Sequence, residues 1–562
     1  MAQSLRDKLD GRFQALKDER ARGWESNWRD LADYIEPRTG RWCLSDSNNG
    51  ERRDQKIINA SATYAARALE AGMMSGITSP SRKWFNLATP DPDLMEYGPV
   101  KVWLHQVSMA MNELFARSNL YNVLPTIYGE NGIFGTACMA AMPDQQDLVR
   151  FYPFTVGSYY IANSARLQVD TVYREFRMTA RQMAQQFGQE ALSQTVRGML
   201  DSKGDSWIDV CHAIEPNDDR VSGRMDNKNM PYRSVYFEKS GDRDKVLRQS
   251  GFRDFPAMAP RWKLSGEDVY GTGPGSIAIG DTKALQLMER RKAEMVEKGV
   301  RPPMIAPESL RNQKASIVPG DITYVNVQQG MQGFVPALTV DPGWLTGIRG
   351  EIQAAEDKIN TAFFVDLFLM VSQMDSVRTA TEIAVRKEEK MLMLGPVLER
   401  LNDELLDPLI DRTFGLMLEQ SAPIWAGLMP GRPALPPPPK ELAGMDLRVE
   451  YTSILAQAQK ALGVSSIERT VGFAGNLAGM NPEVLDKLDM DQTLDEYAAM
   501  IGVPPTMLRS DDQIAQIRQQ RAEAQAQQAQ AEQLSQSIQG AKLLSETDVS
   551  SPNALTAIAG GV

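Results

Sequence analysis

Two long amphipathic stretches with a short β-like insert between them set the plan of this chain. The first, "DTKALQLMERRKAEMVEKG" (281–299), puts Leu285, Met288 and Met295 on one helical face. It stops at Gly299, with Pro302–Pro303 just beyond. The second begins near Trp344, and Ile348, Ile352, Ala355, Ile359, Phe363, Leu367 and Met370 mark its apolar stripe. Strand-like pieces such as "SIVPGDITYVNV" lie between them, giving a helix–β–helix plan. "VSQMDSVR" (371–378) interrupts the pattern. Another long helix is then expected from Thr379 to about Gln420, bent at Gly395–Pro396.

Upstream the period is different. Leu5, Leu9, Phe13, Leu16, Trp24, Leu31 and Ile35 keep one helical face apolar over residues 4–36. Two more helices are expected, over about 59–76 and 100–118. From 148 to 256, β-rich runs take over: "LVRFYPFTVGSYYIA", "VDTVYREF", "WIDVCHAIE", "YRSVYFE" and "KVLRQSGF". One helix, "TARQMAQQFG", interrupts them, with Thr179 as N-cap and Gly188 closing it. The first half therefore reads as a mixed α/β unit. Downstream, "PGRPALPPPPK" (430–440) reads as a stiff spacer or a peptide-recognition motif, and 447–505 as helical. Residues 513–540 hold 11 Gln and no Pro. A helix that needs neighbours and a disordered Gln-rich tail both fit that composition.

The stretch "GTGPGSIAIGDTKAL" (271–285) resembles a phosphate-binding loop at first sight. Gly275 to Gly280 has P-loop spacing and Thr282 stands at the Ser/Thr position, but Asp281 occupies the lysine position. A carboxylate there repels the phosphates a lysine would hold. The simpler reading is a tight turn into a helix, with Ser276 or Asp281 as N-cap.

Bulk properties narrow the rest. At 562 residues the chain exceeds one core, and three or more structural units are expected. A net charge of −11 argues against a protein that coats nucleic acid, which would be basic. It leaves room for one that lets DNA slide past. Cys43, Cys138 and Cys211 are too scattered for a disulfide framework or a zinc cluster. The charged start "MAQSLRDKLD" is not expected to be a signal peptide, and "TAFFVDLFLMV" (361–371) is too short to span a bilayer. His105 and His212 are the two histidines, and Cys211–His212 are neighbours on a strand, pointing to opposite faces. No catalytic, cofactor or metal site is expected.

The order of these pieces resembles the portal (head-to-tail connector) proteins of short-tailed bacteriophages. The resemblance is carried by "AGMMSGITSPSRKWFNL" (71–87), "TARQMAQQFG" (179–188), "PRWKLSGEDVYGTGPGSIAIGDTKALQ" (260–286), "RTATEIAVRKEEKMLMLGPVLERLNDELLDPLIDR" (378–412) and "LRVEYTSILAQAQKAL" (447–462). It implies an α+β, predominantly α, ring-forming portal fold, in twelve copies around a DNA channel. The implied parts are a wing domain over 1–270, a first stem helix over 271–299, a clip over 300–344 and a second stem helix over 345–370. A tunnel loop over 371–378, with Ser372, Gln373, Met374, Asp375 and Ser376 facing DNA, would precede a long wing helix over 379–430. A proline spacer and helical crown would cover 431–505, a barrel helix 506–540 and a flexible tail 541–562.

By the same resemblance the glycines at 271–280 are a turn from wing to stem that permits close backbone approach. The implied partners are other copies of the chain, capsid and scaffolding proteins, the terminase large subunit, tail adaptors and double-stranded DNA read without sequence specificity. No membrane is implied. The implied location is the portal vertex of the virion, after assembly in the host cytoplasm. Two other readings compete: a cytoplasmic helical scaffold, and a nucleotide-binding enzyme using Gly275–Thr282.

Overall fold

Ser4 opens the first helix, its hydroxyl accepting the Asp7 N–H at 3.1 Å, and α1 runs Leu5–Gly23 with α2, Glu25–Tyr34, behind it. The computed structural model describes residues 4–37, 39–40, 42, 50, 53–91, 94–95, 97–221, 223–224, 226–241, 245–305, 311, 335–336, 341–372, 388–421, 435–442, 447–479, 481, 486–501 and 511–546. The apolar face expected over 4–36 serves two cores. Leu9, Phe13 and Leu16 of α1 are buried on a β-sheet, whereas Trp28, Leu31 and Ile35 join a helical core.

That helical core is built from α3 (Ser61–Ile77), α4 (Gly98–Arg117) and α5 (Leu120–Phe134). The sequence pattern gave no sign of α5. Every residue from Ile127 to Phe134 is buried, so no polar face alternates with an apolar one, and Pro125 lies inside the helix. Strand β1 (Phe85–Ala88) lies against α4, where Leu87 N–H donates to Ser108 Oγ at 2.9 Å.

The β region forms two antiparallel sheets. Strands β2 (Cys138–Asp144), β3 (Leu148–Phe154) and β9 (Ala257–Met258) pair in the order β3-β2-β9. Strands β4 (Tyr159–Asn163), β5 (Val169–Thr179), β6 (Trp207–Pro216), β7 (Tyr232–Glu238) and β8 (Arg248–Phe252) pair in sequence order. The run "LVRFYPFTVGSYYIA" thus divides between sheets, turning at Gly157 with φ 89°. Two helices interrupt the strands rather than one. α6 (Ala180–Phe187) carries a full capping box between Thr179 and Gln182 and ends at Gly188, and α7 is Gln194–Lys203. Helix α1 covers one face of the five-stranded sheet, through Tyr160, Tyr173, Cys211, Val235 and Phe237. Helices α6 and α7 cover the other, through Met183, Leu192, Val196, Val210 and Tyr236.

The second half is helical. α8 (Pro274–Val300) leads to the ribbon β10 (Met304–Ile305) and β11 (Val335–Pro336), then to α9 (Pro342–Ala362) and α10 (Val365–Ser372). α11 (Glu388–Leu401) and α12 (Asp407–Ser421) follow, joined by a π-helical turn over Asn402–Leu406. Pro396, where a bend is expected, lies inside α11, and the π-helical turn follows it, next to Pro408, which has no N–H for an α-helical bond.

The chain then folds back. Trp103 Nε1 donates to Pro436 O at 2.9 Å, and Leu435 N–H to Ser421 Oγ at 2.9 Å. The described part of the proline segment is therefore docked on α4 rather than a free spacer. Residues expected to open a helix instead form β12 (Arg448–Tyr451), paired with β1 in the register Phe85↔Tyr451. Helices α13 (Ile454–Ala478), α14 (Met490–Ile501) and α15 (Asp511–Glu546) complete the described residues. No helix among the described residues is long and apolar enough to cross a membrane.

Candidate functional site

The glycine stretch ahead of α8 is shaped by the end of α5. A Cβ on Gly271, Gly273 or Gly275 would stand 2.4, 2.5 or 2.3 Å from the carbonyl oxygens of Gly135, Gly132 and Ile133. Only glycine lets these backbones approach so closely. Gly135 itself sits at φ 78° and caps α5, and the Gly271 N–H donates to Thr136 Oγ1 at 2.7 Å. Gly280 differs, with open space around it.

This arrangement also bears on the nucleotide reading. Gly273 is the N-cap and Pro274 the first helical residue of α8, so Ser276 and Asp281 lie inside the helix rather than capping it. Gly275–Thr282 is therefore helical throughout and offers no loop of converging N–H groups to a phosphate. The buried Thr282 hydroxyl donates to Ala278 O at 2.8 Å, and Asp281 lies 3.9 Å from Lys358.

Asp281, near the start of α8, thus faces Lys358, near the end of α9, so the two helices run antiparallel. On their inner side Ala278, Thr282, Leu285, Ile352, Ala355 and Ile359 are buried. A polar hub fastens the pair to the start of α3. Gln286 Oε1 accepts from the Ile58 and Asn59 N–H groups, and its Nε2 donates to Asn59 O. Asn59 Nδ2 donates to Glu289 at 3.2 Å and to Glu356 at 2.9 Å, and Ser61 Oγ donates to Glu356 at 2.9 Å. Burial opposes ionisation of Glu289, but bonds from Lys292 and Asn59 outweigh it and hold the carboxyl below its usual range.

Other apolar side chains of the pair are not covered. Ile277, Leu287, Val296 and Val300 of α8 and Trp344 of α9 are exposed, Ile277 by 73 %, Val300 by 75 % and Trp344 by 67 %. Near the end of α8 a shallow groove of about 470 Å³ is lined by Lys292, Ala293, Val296, Glu297, Val300 and Arg301.

Of the residues expected to face DNA, Ser372 is the last residue of α10. Gln373, Met374, Asp375 and Ser376 lie outside the described residues, as do 379–387 of the expected wing helix. The other candidates for chemistry are built into the fold. His212 stacks on Tyr236 at 3.7 Å and bonds Ser234 at 2.9 Å, and burial, then Arg174 and Arg248, push its pKa far down. Cys211 points to the opposite core, where burial pushes its thiol up to about 12. Among the described residues no three His, Cys, Asp or Glu side chains are grouped to hold a metal ion.

Sequence reading missed the Asn59–Gln286–Glu356 hub and a second one at Arg261. Buried Arg261 donates to Glu404 in the π-helical turn (Nη2 at 2.7 Å), to Asn163 Oδ1 at 3.0 Å and to Leu167 O at 3.0 Å. Partners about 100 residues or more apart in sequence leave no local pattern by which to find them.

Comparison with known proteins is consistent along the whole chain. A family model described as "Bacteriophage head to tail connecting protein" matches residues 6–508. The portal protein of Salmonella phage epsilon15 is 51% identical over 562 residues, covering 100% of this chain and 99% of that one. A probable portal protein of Bordetella phage BPP-1 is 42% identical over 556 residues, covering 99% and 98%.

Proposed function

The chain belongs to the bacteriophage head-to-tail connecting proteins, the portals of tailed phages, and from that premise we propose how its parts divide the work. As a member it is a structural component of the virion at the junction of head and tail. Our reading is that twelve copies close into a ring around a DNA channel, with 1–270 as wing and α8 and α9 as stem. Residues 300–344 form the clip, 371–378 the tunnel loop, 379–430 the long wing helix, 431–505 the crown and 506–540 a barrel. The ring assembles in the host cytoplasm with capsid and scaffolding proteins, docks the terminase large subunit during packaging and receives tail adaptors afterwards. It carries no catalysis of its own, and purified protein is expected to hydrolyse no ATP.

One observation carries this reading: the α8–α9 pair is fastened to the start of α3 by the Asn59–Gln286–Glu356 hub and still leaves Ile277, Leu287, Val296, Val300 and Trp344 exposed. A ring of head-to-tail contacts closes when each copy offers two different complementary faces, and such a pair supplies them. The acidic balance suits transit as well, because weak binding to the polyanion keeps it sliding.

The division of labour is tested on packaging. Substitutions at exposed positions in 301–335 should leave rings intact and abolish DNA packaging, because the motor loses its dock. Asp375→Arg in every copy should leave rings normal and slow packaging or ejection, less so at high salt. Loss of rings with the first set, or unchanged DNA passage at every salt concentration with the second, would contradict the assignment.

A further inference from the structure

The apolar stripe Ile352, Ala355, Ile359, Phe363 and Leu367 keeps helical spacing from α9 into α10, and all five side chains are buried. A pattern of that kind asks for one continuous helix. The backbone breaks nonetheless. α9 ends at Ala362, Phe363 sits at φ −88° and ψ 7°, and Phe364 adopts φ 55° before α10 begins at Val365. No glycine or proline occurs between Asn360 and Ser372, so the left-handed turn falls on a residue whose Cβ disfavours it.

Two contacts hold the break in place. Phe368 lies across α3 at Gly72, where a Cβ would stand 2.2 Å from both Cβ and Cγ of Phe368. The Phe364 ring packs near Trp262, with centroids 6.4 Å apart. Within the turn, the Phe364 N–H donates to Thr361 O at 3.2 Å, and the Leu367 and Phe368 N–H groups return to Phe364 O at 3.0 and 3.1 Å.

We propose that Phe364 is a two-state joint. In the bent state, seen here, seating Phe368 on Gly72 compensates for the left-handed backbone. In the straight state, 342–372 is one helix, the backbone at Phe364 is relaxed and Phe368 has left α3. Each state gains what the other gives up, which keeps the two close enough in energy to switch. The segment after Ser372 is the one assigned above to the channel wall. Resting on that reading, the joint couples the seating of α10 on α3 to the position from which the wall begins.

The joint can be tested apart from the channel. Spin labels on Gln353→Cys and Leu369→Cys, both exposed positions, report its angle in labelled chains diluted with unlabelled ones, in a Cys43→Ser background. Sixteen residues of continuous helix would place the labelled backbones about 24 Å apart, and the bent state places them closer. Phe364→Gly, at ease with positive φ, should give the short distance alone. Phe364→Val, and separately Gly72→Ala, should shift the population toward the long distance. Identical distances in parent, Phe364→Gly and Gly72→Ala would overturn the joint, even if Phe364→Val failed to fold. Unchanged packaging by a variant whose distances have shifted would overturn its link to the channel wall.

Discussion

Glu130, in α5, is buried, and its Oε2 accepts the Val156 N–H at 3.2 Å while Oε1 has no partner among the described residues. Burial outweighs that one bond and raises its pKa from 4.5 to about 8. The folded chain therefore holds a proton that the unfolded chain releases at about pH 4.5. Its stabilising effect is complete below that value and is lost as pH rises through about 8. Glu130→Gln keeps the bond to Val156 without the charge. It should melt above the parent at pH 9 and show a shallower decline between pH 5 and 9; parallel melting curves would contradict this. The glycines offer a second contrast. Gly273→Ala forces a Cβ against Gly132 O and should cost about 1–3 kcal/mol by denaturant unfolding. Gly280→Ala, with open space in the interior of the same helix, should gain about 0.5–1 kcal/mol. At this scale the sequence was legible only in part. The glycine run pointed to a tight turn, and the resemblance to close backbone approach, but nothing in either distinguished Gly273, pressed on α5, from Gly280, with open space around it.

Elements whose faces divide cleanly between core and solvent could be found from their periodicity, and those that do not could not. The spacing of Ile352, Ala355 and Ile359 marks α9, and the Thr179 box marks α6. α5 has no polar face over its second half, and β12 borrows its strand character from β1, more than 350 residues away, so local pattern missed one and misassigned the other. The break at Phe364 was hidden by a stripe that continues through it. α15 is the opposite case: most of its described side chains are exposed, and its composition of Gln and Ala buries little apolar area. A tie from Arg518 to Asp491 at 2.7 Å joins two exposed groups and adds little. Truncation near Arg509 should therefore leave the oligomer unchanged by native mass. Recovery of monomers alone would show that the tail closes the assembly.

On the scale of the whole molecule, the fold places a fastened helix pair beside a mixed α/β body and leaves several apolar side chains of that pair exposed. Two sets of observations meet here. Portal proteins match this chain from end to end, and Ile277, Val300 and Trp344 of the helix pair are exposed. The central claim is that this surface closes a ring, and native mass measures it directly. Twelve chains of 62.4 kDa should appear as a single species near about 750 kDa. Replacing Ile277 and Val300 by Asp should shift that species toward 62.4 kDa without unfolding the chain. A parent protein that stays at 62.4 kDa under assembly conditions, or a ring indifferent to both substitutions, would contradict the account.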